Sequence, residues 1–228
     1  MINLLFRCAV WTVLSLSTAT SARATDATDQ DRQRFAMIAA AETGDVSAIN
    51  RFIIVGTPVD VRDEQRRTPL LATVEHNRLE AFKVLLSEGA NINAQALNKD
   101  TPWLLAGALG RADMLRLMIP KGPDLTILNR FGGTALIPAC ERAHVDAIRV
   151  MLDTKIAVDH VNNLGWTCLL EIVILGDGGQ RHQEAAKLVL TAGANPNLAD
   201  KKGVTPLAHA KSRGHSALAR ILETAGGR

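Results

Sequence analysis

Residues 189–210 read VLTAGANPNLADKKGVTPLAHA and join two helical segments through a link rich in turn-forming residues. The first segment ends at Gly193-Ala194, and the second opens with the triplet Thr205-Pro206-Leu207. Proline is tolerated in the first turn of a helix, and the threonine hydroxyl before it can accept a free backbone N–H. The stretch therefore predicts a helix, an extended turn and a second helix that starts at Thr205.

The same opening recurs along the chain at an almost constant interval. It begins at Thr68, Thr101, Thr134, Thr167 and Thr205, with three intervals of 33 residues and a last interval of 38. A step of 33 residues back from Thr68 reaches Phe35, where another helical pattern begins. A fixed period of this length indicates a repeat architecture, in which each unit buries its apolar face against its neighbours. We predict six units, near residues 35–63, 64–96, 97–129, 130–162, 163–200 and 201–225.

Each unit predicts two short helices. The first helix is expected to end in a left-handed residue, for which glycine or asparagine is suited. The second helix has an amphipathic pattern, as in NRLEAFKVLLSEGAN at 77–91, where Leu79, Phe82 and Leu86 fall on one face. The predicted left-handed positions, nine residues after each threonine position, are Gly44, Asn77, Gly110, Ala143, Gly176 and Gly214.

These features resemble the ankyrin repeat over residues 35 to 225. The resemblance is carried by the Thr-Pro-Leu openings, by LLSEGANINA at 85–94, by residues 189–210 and by the 33-residue spacing. It implies an all-α fold, a solenoid of about six helix-turn-helix units with β-turn or hairpin links, and a role in protein binding. One departure is that the histidine usual after Thr-Pro-Leu is replaced at Leu71, Leu104, Ile137, Leu170 and Ala208.

The first 24 residues are expected to lie outside this fold. A short apolar run, Cys8 to Leu16, follows Arg7, and Ala22-Arg23-Ala24 has the small-x-small pattern of a signal peptidase site. We predict a cleaved signal peptide at 1–24, a polar segment at 25–34 and a protein that is exported, either periplasmic or secreted. Loss of Arg7 and Arg23 from a chain of net charge +3 leaves it nearly neutral, which argues against a nucleic-acid partner.

Only Cys140 and Cys168 remain in the predicted mature chain. An oxidising compartment permits a disulfide, but its two Cα atoms must lie within about 7 Å. Cys140 lies six residues after its threonine and Cys168 only one, so we expect them at different heights of the stack. The sequence therefore predicts two buried thiols and no disulfide.

The 38-residue interval places five extra residues in the fifth unit, between its two helices. We predict a glycine-rich loop at 176–182. Such an insertion is either a tolerated surface loop or an adaptable contact loop, in which Asp177 and Arg181 would meet a partner.

Partners of ankyrin-like stacks are held by the turn tips ahead of each threonine and by the exposed side of the first helix. In the middle units these positions carry apolar and charged residues together, which suggests a protein-binding patch. Alternatively, Leu175 packs beneath the loop, and Phe131 and Leu164 pack against each other. The predicted binding residues are Leu109, Phe131, Glu141, Arg142, Leu164, Trp166, Leu175, Asp177 and Arg181.

The sequence contains no recognisable catalytic or metal-binding motif. Its six histidines lack metal-ligand spacing, and Glu171 with His182 is the one acid/base pair that can be drawn. We predict a non-catalytic exported scaffold with no cofactor and no metal. Its expected partner is an unidentified protein. The chain itself is expected to have no membrane span and to be monomeric. The alternatives are an enzyme with a site near the 176–182 loop and an effector delivered to another cell.

Overall fold

The computed structural model describes residues 31–228. The predicted signal peptide and most of the predicted polar segment therefore lie outside the described residues. Within 31–228 the regular elements are helices, with no strand, as the sequence predicted. Twelve α-helices follow one another in pairs, and we call the first of each pair the inner helix and the second the outer helix.

The helices are short and regularly spaced. The inner helices from α3 onward contact one another in one layer, and the outer helices contact one another in a second layer. One further turn, Ile119–Lys121, is a 3-10 helix. The described part of α1 spans 31–43, followed by α2 Val46–Ile54, α3 Pro69–Glu75, α4 Leu79–Ser87, α5 Pro102–Ala108, α6 Ala112–Met118, α7 Leu136–Glu141, α8 Val145–Leu152, α9 Cys168–Ile174, α10 Gln180–Thr191, α11 Pro206–Ser212 and α12 Ser216–Thr224.

Four of the five predicted threonines cap their inner helices. The hydroxyl of Thr68, for example, accepts the backbone N–H of Leu71 at 3.2 Å, and Thr101, Thr167 and Thr205 do the same. Thr134 is the exception, since its buried hydroxyl has no partner within the described residues. There the N–H of Ile137 is directed instead to the backbone carbonyl of Thr134.

Five of the six predicted left-handed helix ends have positive φ: Gly44, Asn77, Gly110, Ala143 and Gly214. The prediction for Gly176 is wrong. The five inserted residues let the chain leave α9 without an immediate reversal, and the left-handed residue of this link is Gly178, with φ +71°. Gly176 is nevertheless crowded, since a Cβ there would lie 2.2 Å from the carbonyl oxygen of Ile172.

The core is continuous along the stack and consists mainly of aliphatic side chains. Trp103 and Phe82 are the largest buried side chains among the described residues, so Trp103 belongs to the core. Four of the five residues that stand in place of the usual histidine are buried, namely Leu71, Leu104, Ile137 and Leu170. Apolar packing therefore occupies the position at which an ankyrin histidine would otherwise form polar contacts.

The prediction of two free thiols is wrong. Cys140 and Cys168 form a disulfide between α7 and α9, with their Cα atoms 5.4 Å apart. The same register occurs one interface earlier, where a Cβ on Gly107 would lie 2.6 Å from the carbonyl oxygen of Ala135. Neighbouring inner helices are thus offset along their axes, so that the sixth residue after one threonine meets the first residue after the next. The sequence prediction assumed that equivalent positions of neighbouring units lie at the same height. It therefore placed Cys140 and Cys168 too far apart for a disulfide.

No helix between residues 31 and 228 combines the length and the apolarity needed to cross a membrane.

Candidate partner-binding surface

Five tip turns project between the units, immediately before the threonines. We define them as residues 64–66, 97–99, 130–132, 163–165 and 201–203. Backbone hydrogen bonds link two pairs of neighbouring tips, from Leu97 N to Gln65 O and from Asn163 N to Phe131 O, both at 2.9 Å. The tips follow one another as a row in which backbone hydrogen bonds join two of the four junctions, and the Lys201 side chain, which donates to the Asn163 carbonyl oxygen, joins a third.

A polar side chain at the start of a tip turn holds its backbone. Asn129 Oδ1 accepts the N–H groups of Phe131 and Gly133, each at 2.9 Å. Four of the five tips have such an anchor: Asp63, Asn129, Asn162 and Asp200. Side chains at these tips are consequently displayed from a fixed turn.

The apolar residues predicted at the tips are exposed, with one qualification. Phe131 and Leu164 are each 54% exposed, and Leu97 is 63% exposed. Leu97 lies on a tip turn but was not among the predicted binding residues. Trp166 is only half-buried and lies just outside its tip turn. Phe131 and Leu164 are therefore the cleaner test positions.

The binding residues predicted on the inner-helix side differ in their exposure. Leu175 is 50% exposed, whereas its neighbour Ile174 is buried. Leu109 and Glu141 are half-buried. Arg142 is exposed, and its Nη1 donates to the carbonyl oxygen of Ala108 at 2.7 Å, so this guanidinium bridges two neighbouring units.

The predicted loop is shorter than 176–182, because α10 already begins at Gln180. Asp177 is exposed and accepts the N–H of Gly179 at 2.8 Å. That hydrogen bond, followed by the one to His182, lowers the pKa of the Asp177 carboxyl. Arg181 is exposed in the first turn of α10. The insertion thus adds a compact turn and lengthens a helix.

His182 anchors this turn to the preceding unit. Its Nδ1 lies 2.8 Å from Asp177 Oδ1, and its Nε2 lies 3.1 Å from the carbonyl oxygen of Glu141. His144 makes the equivalent approach, since its ring packs against Gly110. Burial, reinforced by nearby Arg142, lowers the pKa of His144. Both histidines therefore hold neighbouring units together, and His182 belongs to this inter-unit contact.

The sequence did not predict the environment of Glu171, a buried residue that is hydrogen-bonded to Asn162 beside a tip turn. Glu171 lies in α9, is only 4% exposed, and accepts a hydrogen bond from Asn162 Nδ2 at 2.8 Å. Burial, with the nearby Glu141 carboxylate as a second cause, raises the pKa of Glu171 to about 7. A glutamate in the apolar run CLLEIVI was the available signal, because buried carboxylates need a partner.

The structure does not unite the one acid/base pair that the sequence allowed. Glu171 bonds to Asn162, whereas His182 faces Asp177 and the backbone of Glu141. Within residues 31–228 no cluster of three or more histidine, cysteine, aspartate or glutamate side chains could hold a metal ion. The surface instead displays exposed side chains along the tip turns, an arrangement suited to contact with another molecule.

Comparison with solved structures places the chain among bacterial ankyrin-repeat proteins. An ankyrin repeat domain from Acinetobacter baumannii AYE is 44% identical, with a TM-score of 0.81 over 84% of this chain and 98% of that one. A chain in the complex of the Bdellovibrio bacteriovorus predatory endopeptidase Bd0816 with immunity protein Bd3460 shares the fold. It has a TM-score of 0.71 and 24% identity over 83% of this chain and 97% of that one.

Sequence comparison agrees. The putative ankyrin repeat protein YahD of Escherichia coli (strain K12) is 47% identical over 73 residues, which is 32% of this chain and 36% of that protein. The match thus spans about a third of that relative's length. The family described as "Ankyrin repeats (3 copies)" matches residues 11–96 and 103–200. Ankyrin repeat domains are generally non-catalytic binding modules, and this chain belongs to the ankyrin-repeat family.

Proposed function

We propose that this chain is an exported, non-catalytic scaffold that binds and modulates another protein of the periplasm or cell envelope. The observation that carries the proposal is the row of tip turns, which displays Leu97, Phe131 and Leu164 in three consecutive units. Exposed apolar side chains on fixed turns with charged neighbours are typical of protein-interaction sites.

Arg142, Leu175, Asp177 and Arg181 extend this surface toward the inner helices and are all exposed. Arginine and large apolar side chains often dominate the energetics of protein contacts. Glu141 and Leu109 are half-buried, and we assign them to the margin of the contact. The proposed site therefore spans the third, fourth and fifth helix pairs.

A protein partner is consistent with a solved complex of two proteins in which one chain has this fold. The Bdellovibrio structure holds a predatory endopeptidase in complex with an immunity protein. That likeness, at 24% identity, concerns the fold, and it supports only the idea that an ankyrin-type stack can take part in such a complex.

Export is supported by the disulfide between Cys140 and Cys168. Disulfides persist in oxidising compartments and are rare in the cytosol, where thiols are kept reduced. Together with the leader-like pattern that ends at Ala24, the disulfide favours the periplasm or the exterior of the cell.

Affinity capture from source-cell extracts tests the proposal. Wild-type protein is compared with a Phe131→Ser/Leu164→Ser variant and with an Ile54→Ser/Val55→Ser control. Ile54 and Val55 are also exposed, at 82% and 68%, but Ile54 is the last residue of α2, in the first pair, and Val55 follows it. We expect a protein that the wild type and the control retain and the tip variant loses. Equal retention by the tip variant would remove the tips from the binding site.

A further inference from the structure

The exposed charge on the tip turns is almost entirely positive. Each tip except 163–165 carries at least one cation, and Glu64 is the single acidic residue among the tip turns. The exposed cations are Arg66, Lys99, Arg130, Lys201 and Lys202. On the outer helices, by contrast, three cations are paired with acids: Lys83 with Glu80, Arg116 with Asp113 and Arg149 with Glu184.

Most of these tip cations are not neutralised by their surroundings, and the exception is Arg130, which attracts the half-buried Asp100 carboxyl. Arg66, Lys99 and Lys202 form no ion pair with any residue of 31–228. Arg130 lies over the ring of Phe131, 4.7 Å from its centroid. Lys201 donates to the backbone oxygen of Asn163. Charge that the fold itself leaves unpaired is available to a partner.

Apart from the exposed Glu64, the acidic groups near the tips are already engaged. Asp63 binds the side chain and backbone of Arg67, and Asp200 binds His209 at 2.9 Å and the backbone of its own turn. Asp100 is half-buried, accepts from Asn98, and has its pKa raised by burial. The free electrostatic character of the row is therefore cationic.

Two of the cations occupy strained backbone positions. Arg66 and Lys99 have φ of 60° and 66°, at the turn position where the three later tips have Gly132, Gly165 and Gly203. A left-handed backbone is unfavourable for a non-glycine residue. Within residues 31–228 neither side chain forms a hydrogen bond or an ion pair that would offset this strain.

We propose that the tip row binds an extended acidic segment of a protein partner. This inference rests on the proposed function and specifies the chemistry of the partner. The carboxylates of the segment pair with Arg66, Lys99, Arg130 and Lys202, and its apolar side chains pack on Leu97, Phe131 and Leu164. Helices pack roughly 8 to 10 Å apart, so five tips span about 32 to 40 Å. An extended chain of about ten to twelve residues covers that distance.

A polypeptide fits the row better than a membrane or a nucleic acid. Two neighbouring tips combine an apolar with a cationic side chain, Leu97 with Lys99 and Phe131 with Arg130, and a series of single turns of this kind suits one extended chain. A lipid surface would favour a broad apolar face, and nucleic acid would favour stacked aromatic side chains, whereas the tips carry one aromatic residue, Phe131.

The test uses a displayed library of random 16-residue peptides selected on the full mature chain. Selected peptides are then measured by fluorescence polarisation against wild type and an Arg66→Gly/Lys99→Gly variant. Glycine relieves the strained backbone, so loss of folding cannot explain weaker binding. Lys121→Ser/Lys155→Ser is the charge-matched control, since both lysines are exposed on links away from the tips.

We expect enriched peptides in which acidic and apolar residues alternate. Two exposed charge pairs predict a loss of affinity of about 2- to 30-fold in the glycine variant and none in the control. Added salt should weaken the same binding. Enrichment of neutral or basic peptides, an absence of enrichment, or an equal affinity of the glycine variant overturns the inference.

Two further probes separate the other anionic ligands. Phosphatidylglycerol vesicles and single-stranded oligonucleotides are assayed under the same conditions, and tighter binding of either one than of the peptides also overturns the inference. The proposed function is tested separately. If a cellular protein binds through Phe131 and Leu164 and its binding is unchanged by Arg66→Gly/Lys99→Gly, the scaffold role stands and the acidic segment is rejected.

Discussion

The side-chain amide of Asn162 donates a hydrogen bond of 2.8 Å from Nδ2 to Oε1 of the buried Glu171. The same amide accepts the backbone N–H groups of Leu164 and Trp166 through Oδ1, each at 3.0 Å. A buried carboxyl on an inner helix is thereby connected to the tip turn that carries part of the proposed binding surface. The protonation state of Glu171 is therefore expected to affect both stability and the order of this tip.

Stability should fall as pH rises through the titration of Glu171. The folded-state pKa of about 7 lies above the ordinary value of 4.5, so the folded state holds the proton more tightly than the unfolded state. The stabilising contribution is complete below pH 4.5 and is lost as pH rises toward 7. Its size is about 3 kcal/mol, and urea unfolding at closely spaced pH values measures it.

Glu171→Gln is the matched control for this titration. Glutamine keeps an oxygen that can accept from Asn162 and has no charge to bury. The variant should be more stable than wild type at pH 8 and close to it at pH 4.5. An unchanged difference between the two proteins across this range would show that Glu171 does not titrate there.

The disulfide should stabilise the junction between the fourth and fifth pairs. Cys140 and Cys168 enclose 28 residues of sequence separation, and a closed loop of this size contributes about 2 to 4 kcal/mol. Reduction should lower the unfolding midpoint of wild type and leave Cys140→Ala/Cys168→Ala unaffected. Under denaturing, non-reducing conditions, the intact mass should be lower than that of the reduced protein by the mass of two hydrogen atoms. Two freely alkylated thiols in the exported protein would contradict this pairing.

Gly107 should tolerate no added methyl group. Its missing Cβ would lie 2.6 Å from the carbonyl oxygen of Ala135 and 2.9 Å from the Ala135 Cβ, because α5 and α7 approach closely there. Gly107→Ala is expected to destabilise by about 1 to 3 kcal/mol, although alanine favours helix at an ordinary site. Thermal unfolding compares it with Gly89→Ala, which strains the backbone at φ +83° but meets no neighbour. Neutral behaviour of Gly107→Ala would show that the two helices are farther apart.

Core and tip truncations should separate stability from binding. Leu86 is 5% exposed and belongs to the core, so Leu86→Ala should cost about 2 to 5 kcal/mol. Phe131 is half exposed, and Phe131→Ala should change stability by about 0.5 kcal/mol or less. Chemical denaturation of both variants gives the comparison. Similar losses would mean that Phe131 is a packing residue.

Local sequence signals predicted most of the fold. The threonine period located the starts of the inner helices, because the side-chain cap needs only residues within one turn, as at Thr68 and Thr205. Positive φ at Gly44 and Gly110 followed from the same spacing. These features depend on short-range chemistry, which the sequence displays directly.

Features set by tertiary geometry were not predictable in the same way. The start of α10 at Gln180 depends on packing of His182 against the preceding unit, and the glycines before it obscured that start. Pairing of Cys140 with Cys168 depends on the axial offset of neighbouring helices. The apolar run CLLEIVI is a local signal that Glu171 is buried, but its partner Asn162 and its neighbour Glu141 in α7 follow from tertiary packing.

Site-specific photo-crosslinking tests the central claim most directly. A benzophenone amino acid replaces Phe131 in one variant and Ile54 in another, and both positions are exposed on opposite parts of the stack. After irradiation in source cells, the account predicts a discrete adduct with one protein from position 131 and none from position 54. Absence of an adduct at 131, or the same adducts from both positions, would contradict a partner bound on the tip row.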